Sequence, residues 1–552
     1  MLLSGSDIII KVLLEQGCDT VFGYPGGQIL NVYDSLYKYK DKIRHILTAH
    51  EQGAAHAADG YARATGKPGV VIATSGPGAT NLVTGIATAH MDSVPLIAIT
   101  GNVATHDIGY DSFQELDITG VTLPITKHNY FVDTPEELAD TIREAFRIAI
   151  SGRPGPVLID VPKDVQTAFC EYEEKPAVKP NAPFAAKDMR IEAAAECINS
   201  SKRPYIYFGG GIIRGGAQEE MLALAELCDA PMGCSLMGLS AIPTDHPRFL
   251  GMQGMHGHFA ASKAMESADC IIALGVRFND RVTGNRLNFA KNTKIVHIDI
   301  DGSELSKSLC DAHGLRADLK CTLQKLIPLI KQTRHIKWRE IISEIRAEGE
   351  KFTDDRSGMT PKNIIATLQK YVGDNTPVIT DVGQHQMWTA QYLVQKTVRR
   401  FITSGGLGTM GFGMGAAMGA AIGCGERAIL VSGDGSFGMS LHELATAVTY
   451  SIPLTILIMN NGVLGMVHQW QNLFFDKRYS CTELDRKTDF VKLAEAFGAS
   501  GETVTTLSQL DAALAKASSG ASPYIIDCRI SKDELVFPMR PPEGSSDDII
   551  LK

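Results

Sequence analysis

Residues 428–462 read AILVSGDGSFGMSLHELATAVTYSIPLTILIMNNG. An uncharged aliphatic run stops at one carboxylate, Asp434, held between Gly433 and Gly435. A helical stretch follows, then a second apolar run, Leu454 to Met459, that ends at Asn460-Asn461-Gly462. Strand, turn, helix and strand in this order predict a βαβ unit, whose right-handed crossover lays the second strand beside the first. Both strand ends then face one crevice, where ligands of open parallel sheets bind.

The helix that follows Gly433 offers unpaired N–H groups and positive partial charge, so anionic phosphate belongs at its start. A carboxylate in the same place would repel that phosphate unless a divalent cation sat between them. Magnesium is commonly held by one or two protein oxygens plus phosphates. Asp434 and an Asn461 side-chain oxygen can therefore share one Mg²⁺, with a backbone carbonyl such as that of Val463 as third ligand. The competing reading is a turn aspartate and a helix-capping asparagine.

The same frame occurs earlier in the chain. Gly76-Pro77-Gly78 ends one strand as Gly433-Asp434-Gly435 ends another; Ala-Thr-Ala follows at 87–89 and 445–447, then Ser-x-Pro at 93–95 and 451–453. Both tripeptides in order on one frame indicate a duplicated module.

Around it the chain divides into three α/β blocks, at 1–170, 188–330 and 361–540, expected to be doubly wound parallel-sheet domains of which the first and third are related. The stretch EYEEKPAVKPNAPFAAKD, 171–188, reads as a linker, and KQTRHIKWREIISEIRAEGEKF, 331–352, as an amphipathic helix before the third block. A net charge of −9 over 552 residues, with no basic tract, argues against nucleic-acid binding. Eleven cysteines without a CxxC pair argue against a disulfide framework or zinc site and fit a cytoplasmic protein. The N-terminal residues read as an amphipathic helix rather than a signal peptide. Phe401 to Gly425 has no charged residue over 25 positions, but nine of them are glycine, too poor in apolar side chains for a membrane span. A glycine every fourth residue from Gly411 to Gly423 predicts close packing against another backbone.

GDG followed at this spacing by a twin asparagine resembles the signature of thiamine diphosphate enzymes, whose pyrimidine-binding and diphosphate-binding domains share a fold. Over nearly the whole chain the resemblance is to the catalytic large subunit of acetohydroxyacid (acetolactate) synthases, through FGYPGG, HEQGAAHAADGYARATGKPGV, ATSGPGATNLVTG, DSFQELD, SGRPGPVLIDVPKD, GMHG, RFNDRVTG, DVGQHQMW and GLGTMGFG. It implies thiamine diphosphate, Mg²⁺ and FAD as cofactors, a homodimer or dimer of dimers with sites built from two chains, and a possible small regulatory subunit.

By that resemblance Glu51 hydrogen-bonds a pyrimidine ring nitrogen, and apolar surroundings are expected to raise its pKa. Met410 lies under the bent cofactor, with Gly408, Gly433, Gly435, Ser436 and His385 also around it. Phe113, Gln114, Lys163, Met466 and Trp470 line the substrate approach. Taken alone, Met410 would be ordinary core filler and Lys163 a solvated residue, while a packed core aromatic is the competing reading of Trp470. FAD falls to Arg153, Gly209, Gly210, Gly211, Gly275, Arg277, Arg281 and Asp299. Glycine allows close backbone approach to a dinucleotide and arginine suits its phosphates. Gly209 to Gly211 alone is equally compatible with a turn or NAD; the arginine pair in GVRFNDR is the stronger signal, and favours the flavin-containing biosynthetic enzyme over the flavin-free catabolic one.

The implied reaction is decarboxylation of pyruvate and transfer of its two-carbon unit to pyruvate or 2-oxobutyrate, toward the branched-chain amino acids. No His-His dipeptide, the pair used by pyruvate decarboxylases, occurs in the chain. Gln28, Asn279 and Met414-Gly415 depart from the common family pattern. Gln28 adds volume and polarity beside the expected channel.

Overall fold

Apolar strands alternating with helices cannot bury both sheet faces except under covering helices, and this requirement organises the chain. The computed structural model describes residues 1–284, 289, 293–307, 312–542, 544 and 548–551. It contains three six-stranded sheets, spanning Thr20 to Pro162, Pro204 to Arg316 and Val378 to Arg529.

With strands numbered in chain order within each sheet, the first and third sheets have the same order, 2-1-3-4-6-5. Their third and fourth strands pair in parallel, with Gly69 opposite Leu96 in one and Ala428 opposite Leu454 in the other. Even the turn before the fourth strand repeats: Ser93 and Ser451, the serines of the two Ser-x-Pro motifs, both adopt positive φ, 58° and 49°. The duplicated module is thus a duplicated fold. The middle sheet has the order 3-2-1-4-5-6, that of dinucleotide-binding domains.

The described chain forms two compact units. One comprises residues 1–181, 376–385 and 402–532 and holds the first and third sheets; the other comprises 182–375, 386–401 and 533–552 and holds the middle sheet. Residues 172–187 form no helix or strand, as the linker composition predicts. In the second unit the Ile336–Glu350 helix buries Trp338, whose indole N–H donates to the Pro204 carbonyl at 3.0 Å.

Two helices join the first and third sheets: a glutamate helix, Glu51–Thr65, and a glycine helix, Phe412–Cys424. The glycine helix is buried from Phe412 through Ala421, and its stripe meets the glutamate helix backbone to backbone. A Cβ on Gly419 would overlap the Ala57 carbonyl oxygen, and one on Gly60 would overlap Ala416 in return. The glycine repeat therefore serves a helix contact inside the protein. Among the described residues no helix is long and apolar enough to cross a membrane.

Since Ala57 cannot retreat from a helix buried on both sides, Gly419→Ala is expected to cost about 3 kcal/mol or more. Denaturant unfolding measures this, and a midpoint equal to that of the parent protein would contradict the packing argument.

Candidate functional site

Gly433 lies opposite Met459 in the parallel pair, so Asp434 and Asn461 leave adjacent strand ends as the βαβ reading expects. Asp434 opens the Asp434–Ser440 helix and is only 8% exposed. Burial pushes its carboxyl up to about 6, opposed by hydrogen bonds from backbone N–H groups including those of Gly435 and Asn461. Among the described residues no cationic side chain forms an ion pair with it. The Asn461 amide is held in place: its Nδ2 donates to Gln384 Oε1 at 3.0 Å, and its Oδ1 accepts from the Val463 N–H at 3.2 Å. Gln384 is itself tied to Gln469 at 3.1 Å. A desolvated carboxylate without a counter-charge, beside an oriented amide oxygen that keeps a second lone pair, fits a hard divalent cation.

Around this turn the Gly433 N–H donates to Ser436 Oγ at 3.1 Å, and the His385 ring lies against Gly433. Burial pushes His385 down to about 3, so its imidazole is neutral. A Cβ on Gly435 would meet Leu464, Leu484 and, at 3.9 Å, the Met410 methyl group. Met410 thus stands over the turn that carries Asp434. It sits between Gly408 and Gly411, and Gly411, with φ 88°, turns the chain into the glycine helix through a conformation that costs other residues strain.

Glu51 is the first residue of the glutamate helix and is 9% exposed. Asn81 Nδ2 donates to its Oε2 at 2.9 Å, while Oε1 faces Gly78 in the first-copy turn. Its setting is therefore more polar than the flanking alanines and glycines imply: one oxygen is fixed by an amide at the end of the Pro77–Asn81 helix, which follows the turn equivalent to that of Asp434. No hydrogen bond or ion pair among the described residues joins Glu51 to Asp434 or Asn461 within the chain.

The remaining candidates of this unit lie on loops and on two helices. Gln114, at positive φ, packs against Gly76, Phe113 is 83% exposed, and Lys163 is exposed at the start of the Lys163–Thr167 helix. Met466 and Trp470 are on the Gly465–Phe474 helix, half-buried, with Trp470 edge-on to Phe474. Trp338 and Trp388 are the core tryptophans; Trp470 is not one. Arg153 Nε donates to Ser93 Oγ at 2.8 Å. Gln28 donates its N–H to Thr74 Oγ1 at 3.2 Å, but its own side-chain oxygen is buried with no hydrogen-bond partner among the described residues.

In the other unit Gly209 to Gly211 follow the first strand of the middle sheet and Gly275 the fourth, the two strands that flank its switch point. Gly211 and Gly275 pack directly on each other, so their lack of side chains serves this contact first. Arg277, half-buried just beyond, makes no side-chain hydrogen bond or ion pair among the described residues. An unpaired guanidinium at a switch point suits an anionic dinucleotide. Arg281 is exposed, and Asp299 ends the next strand, its Oδ1 accepting from the Asp301 N–H at 2.9 Å.

Residues 3–121 match the thiamine pyrophosphate enzyme N-terminal TPP binding domain, 191–326 the central domain and 381–528 the C-terminal TPP binding domain. The chain is 44% identical to the acetolactate synthase isozyme 2 large subunit of Escherichia coli over the whole of both proteins. It is 45% identical to a probable acetolactate synthase large subunit of Methanocaldococcus jannaschii, over 99% of this chain and 95% of that one. The chain belongs to the acetolactate synthase large-subunit family. Another member, the large subunit of Corynebacterium glutamicum, is 43% identical over 99% of this chain and 90% of its own length.

Three carboxylates that support this family site escaped the sequence reading. Asp381 caps the glycine helix, accepting from the Gly411 and Gly413 N–H groups at 2.9 and 3.1 Å. Asp92 accepts from Gly405 and Gly406. Glu443, fully buried, accepts from the Ala49 and His50 N–H groups at 3.1 and 3.0 Å and from Thr446 Oγ1 at 2.8 Å, so the third block caps the helix that starts with Glu51. A lone acid in an apolar stretch singled out Asp434, and the same test applied to HELATA and MDSVP would have found two of them. Glu443→Ala removes the acceptor of two part-buried N–H groups and is expected to destabilise by about 1–3 kcal/mol; thermal unfolding of the purified variant checks it, an unchanged transition refuting the capping role.

Proposed function

We propose that the chain is the catalytic subunit of an acetolactate synthase that decarboxylates pyruvate and joins the two-carbon hydroxyethyl unit to pyruvate or 2-oxobutyrate. The products are 2-acetolactate and 2-aceto-2-hydroxybutyrate, precursors of valine, leucine and isoleucine. The observation that carries this reading is Asp434: buried, without a cationic partner, and set between an oriented asparagine and a helix start under Met410.

Asp434, Asn461 and the Val463 carbonyl would hold Mg²⁺, and Gly433, Gly435, Ser436 and His385 would surround a diphosphate, with Gly408 and Met410 supporting the rest of the cofactor. Bound thiamine diphosphate supplies a carbon nucleophile and a cationic ring that takes up the electron pair as carbon dioxide leaves. Glu51 would hold a proton on Oε1 toward a pyrimidine nitrogen, the Asn81 amide keeping its other oxygen still. The Lys163 ammonium would draw in 2-oxo acid carboxylates, and Gln114 would orient them. Phe113, Met466 and Trp470 offer apolar surface to the acceptor, where one methylene separates the two substrates and is worth about 1–3 kcal/mol.

The middle domain would bind FAD through Gly209, Gly210, Gly211, Gly275, Arg277, Arg281 and Asp299. Arg153, on the first block, is the family's further flavin residue. Tyr110 and Phe113, 79% and 83% exposed, lie on one loop of the first block and would be covered in a homodimer or dimer of dimers, where a second copy completes each site. A small regulatory subunit, as the relatives' designation as large subunits implies for them, would add control.

Purified protein given pyruvate should form acetolactate only with thiamine diphosphate and Mg²⁺, lose activity to a chelator and regain it on Mg²⁺ addition. Acetaldehyde as sole product, or turnover independent of both cofactors, would overturn the assignment. Bound flavin should colour the protein yellow; acetolactate formation by a colourless protein would favour the flavin-free synthase. Glu51→Gln keeps size and hydrogen bonding while removing the titrating oxygen, and should slow turnover about a hundredfold or more with cofactor still bound. Steady-state rates at saturating thiamine diphosphate read this out, wild-type turnover removing Glu51 from its role.

A further inference from the structure

The segment that carries Met410 is poorly equipped to hold itself. From Phe401 to Gly425 it has no charge and nine glycines, so its N–H groups must be fixed from elsewhere and its chain entropy is high. The structure supplies these partners from helices of the first block. Asp92, 1% exposed at the end of the Val83–Asp92 helix, accepts from the Gly405 N–H at 3.0 Å, the Gly406 N–H at 2.7 Å and Arg63 Nη2 at 2.9 Å.

Arg63 lies on the glutamate helix, three turns beyond Glu51. Its Nη1 donates to the Thr403 carbonyl at 2.8 Å, its Nε to Asp59 Oδ1 at 2.5 Å, and its guanidinium lies over the Phe412 ring. Thr88, on the same helix as Asp92, shares a 2.7 Å hydroxyl contact with Thr409. Residues 403, 405, 406 and 409 are thus tied to the first block, and Gly411 and Gly413 to Asp381. Met410 falls between the two sets of ties and has no polar group of its own to place it.

We propose that Asp92, locked by Arg63, is a positioning residue for the cofactor: it holds the 403–409 backbone so that Met410 is already in place before thiamine diphosphate binds. The inference rests on the functional reading above, and goes beyond it in giving the first block a task toward the third-block half of the site in the same chain. Two features favour a positioning task over simple domain adhesion. Four ties from the first block converge on the few residues before Met410. Three of the four also end on main-chain groups, which fixes backbone position directly. Preorganisation of this kind lowers the ordering cost charged to ligand binding.

Asp92→Asn keeps the shape but turns one acceptor into a donor facing Arg63 or a glycine N–H. In cofactor-free protein, amide hydrogen exchange in the peptide covering 403–411 should accelerate at least about tenfold. In calorimetric titration with thiamine diphosphate at saturating Mg²⁺, the Kd should rise about tenfold while FAD affinity is unchanged. Thr409→Val, which loses one hydroxyl contact without adding charge, should move both readouts the same way by about threefold, and carries the test if Asp92→Asn does not fold. Parental exchange rates and Kd in a folded variant would overturn the proposal while leaving the functional reading intact. Failure of the unsubstituted protein to bind thiamine diphosphate with Mg²⁺ would instead overturn the functional reading, and this inference with it.

Discussion

Close contact between the glutamate and glycine helices is the constraint on which the rest of the first unit depends. Glycines on one helix receive carbonyls and small side chains of the other, Gly419 at Ala57 and Gly60 at Ala416, at a separation no larger residue allows. Two sheets more than 200 residues apart in sequence are thereby held as one unit. The contact also sets where catalytic candidates stand, because Glu51 opens one helix and Met410 immediately precedes the other.

Such a contact leaves no room for charged side chains along its seam, and the charges that orient it are displaced to its ends. Asp92 and Asp59 with Arg63 lie at one place and Glu443 at another: Asp92 and Glu443 accept from main-chain N–H groups of the other block, and Asp59 holds Arg63, which donates to the Thr403 carbonyl. The exchange is reciprocal: the first block fixes the segment before Met410, and the third block caps the helix that begins with Glu51. Buried carboxylates that accept several N–H groups are stable in such positions, where an isolated one would not be. Asp434 too accepts backbone N–H groups, and burial pushes its carboxyl up to about 6, as it does that of Asp381.

Much of this was legible in the sequence because it depends on local pattern. The βαβ frame, the duplicated tripeptides, the linker and the glycine stripe each follow from spacing along the chain, and strand order, φ signs and helix packing agree with them. What escaped depends on contacts between residues far apart in sequence. Nothing local to Asp92 says that its partners are Gly405 and Gly406, and nothing near Glu443 points to Ala49 and His50. Asn81 escaped for the same reason and makes Glu51 a more polar site than its alanine-rich neighbours suggest. In the middle domain Gly211 and Gly275 pack on each other, a contact between distant residues that the sequence does not announce, and Arg277 makes no side-chain hydrogen bond or ion pair among the described residues.

The duplicated turn explains why only one copy is suited to metal and phosphate. In the third block Gly433 is extended, φ −98° and ψ 162°, and the helix begins with Asp434, which supplies a carboxylate and retains its N–H. In the first block Gly76 adopts φ 56° and ψ −119°, and the helix begins with Pro77, which has neither a carboxylate nor an N–H to donate. The first-copy helix start is therefore short of one anion-binding donor and wholly without a metal ligand. The Pro77–Asn81 helix contributes instead the Asn81 amide to Glu51. On the proposed reading the charged end of the cofactor would go to the third-block copy and its uncharged end to the first, with the exchange of Asp for Pro and the different glycine backbones separating the two.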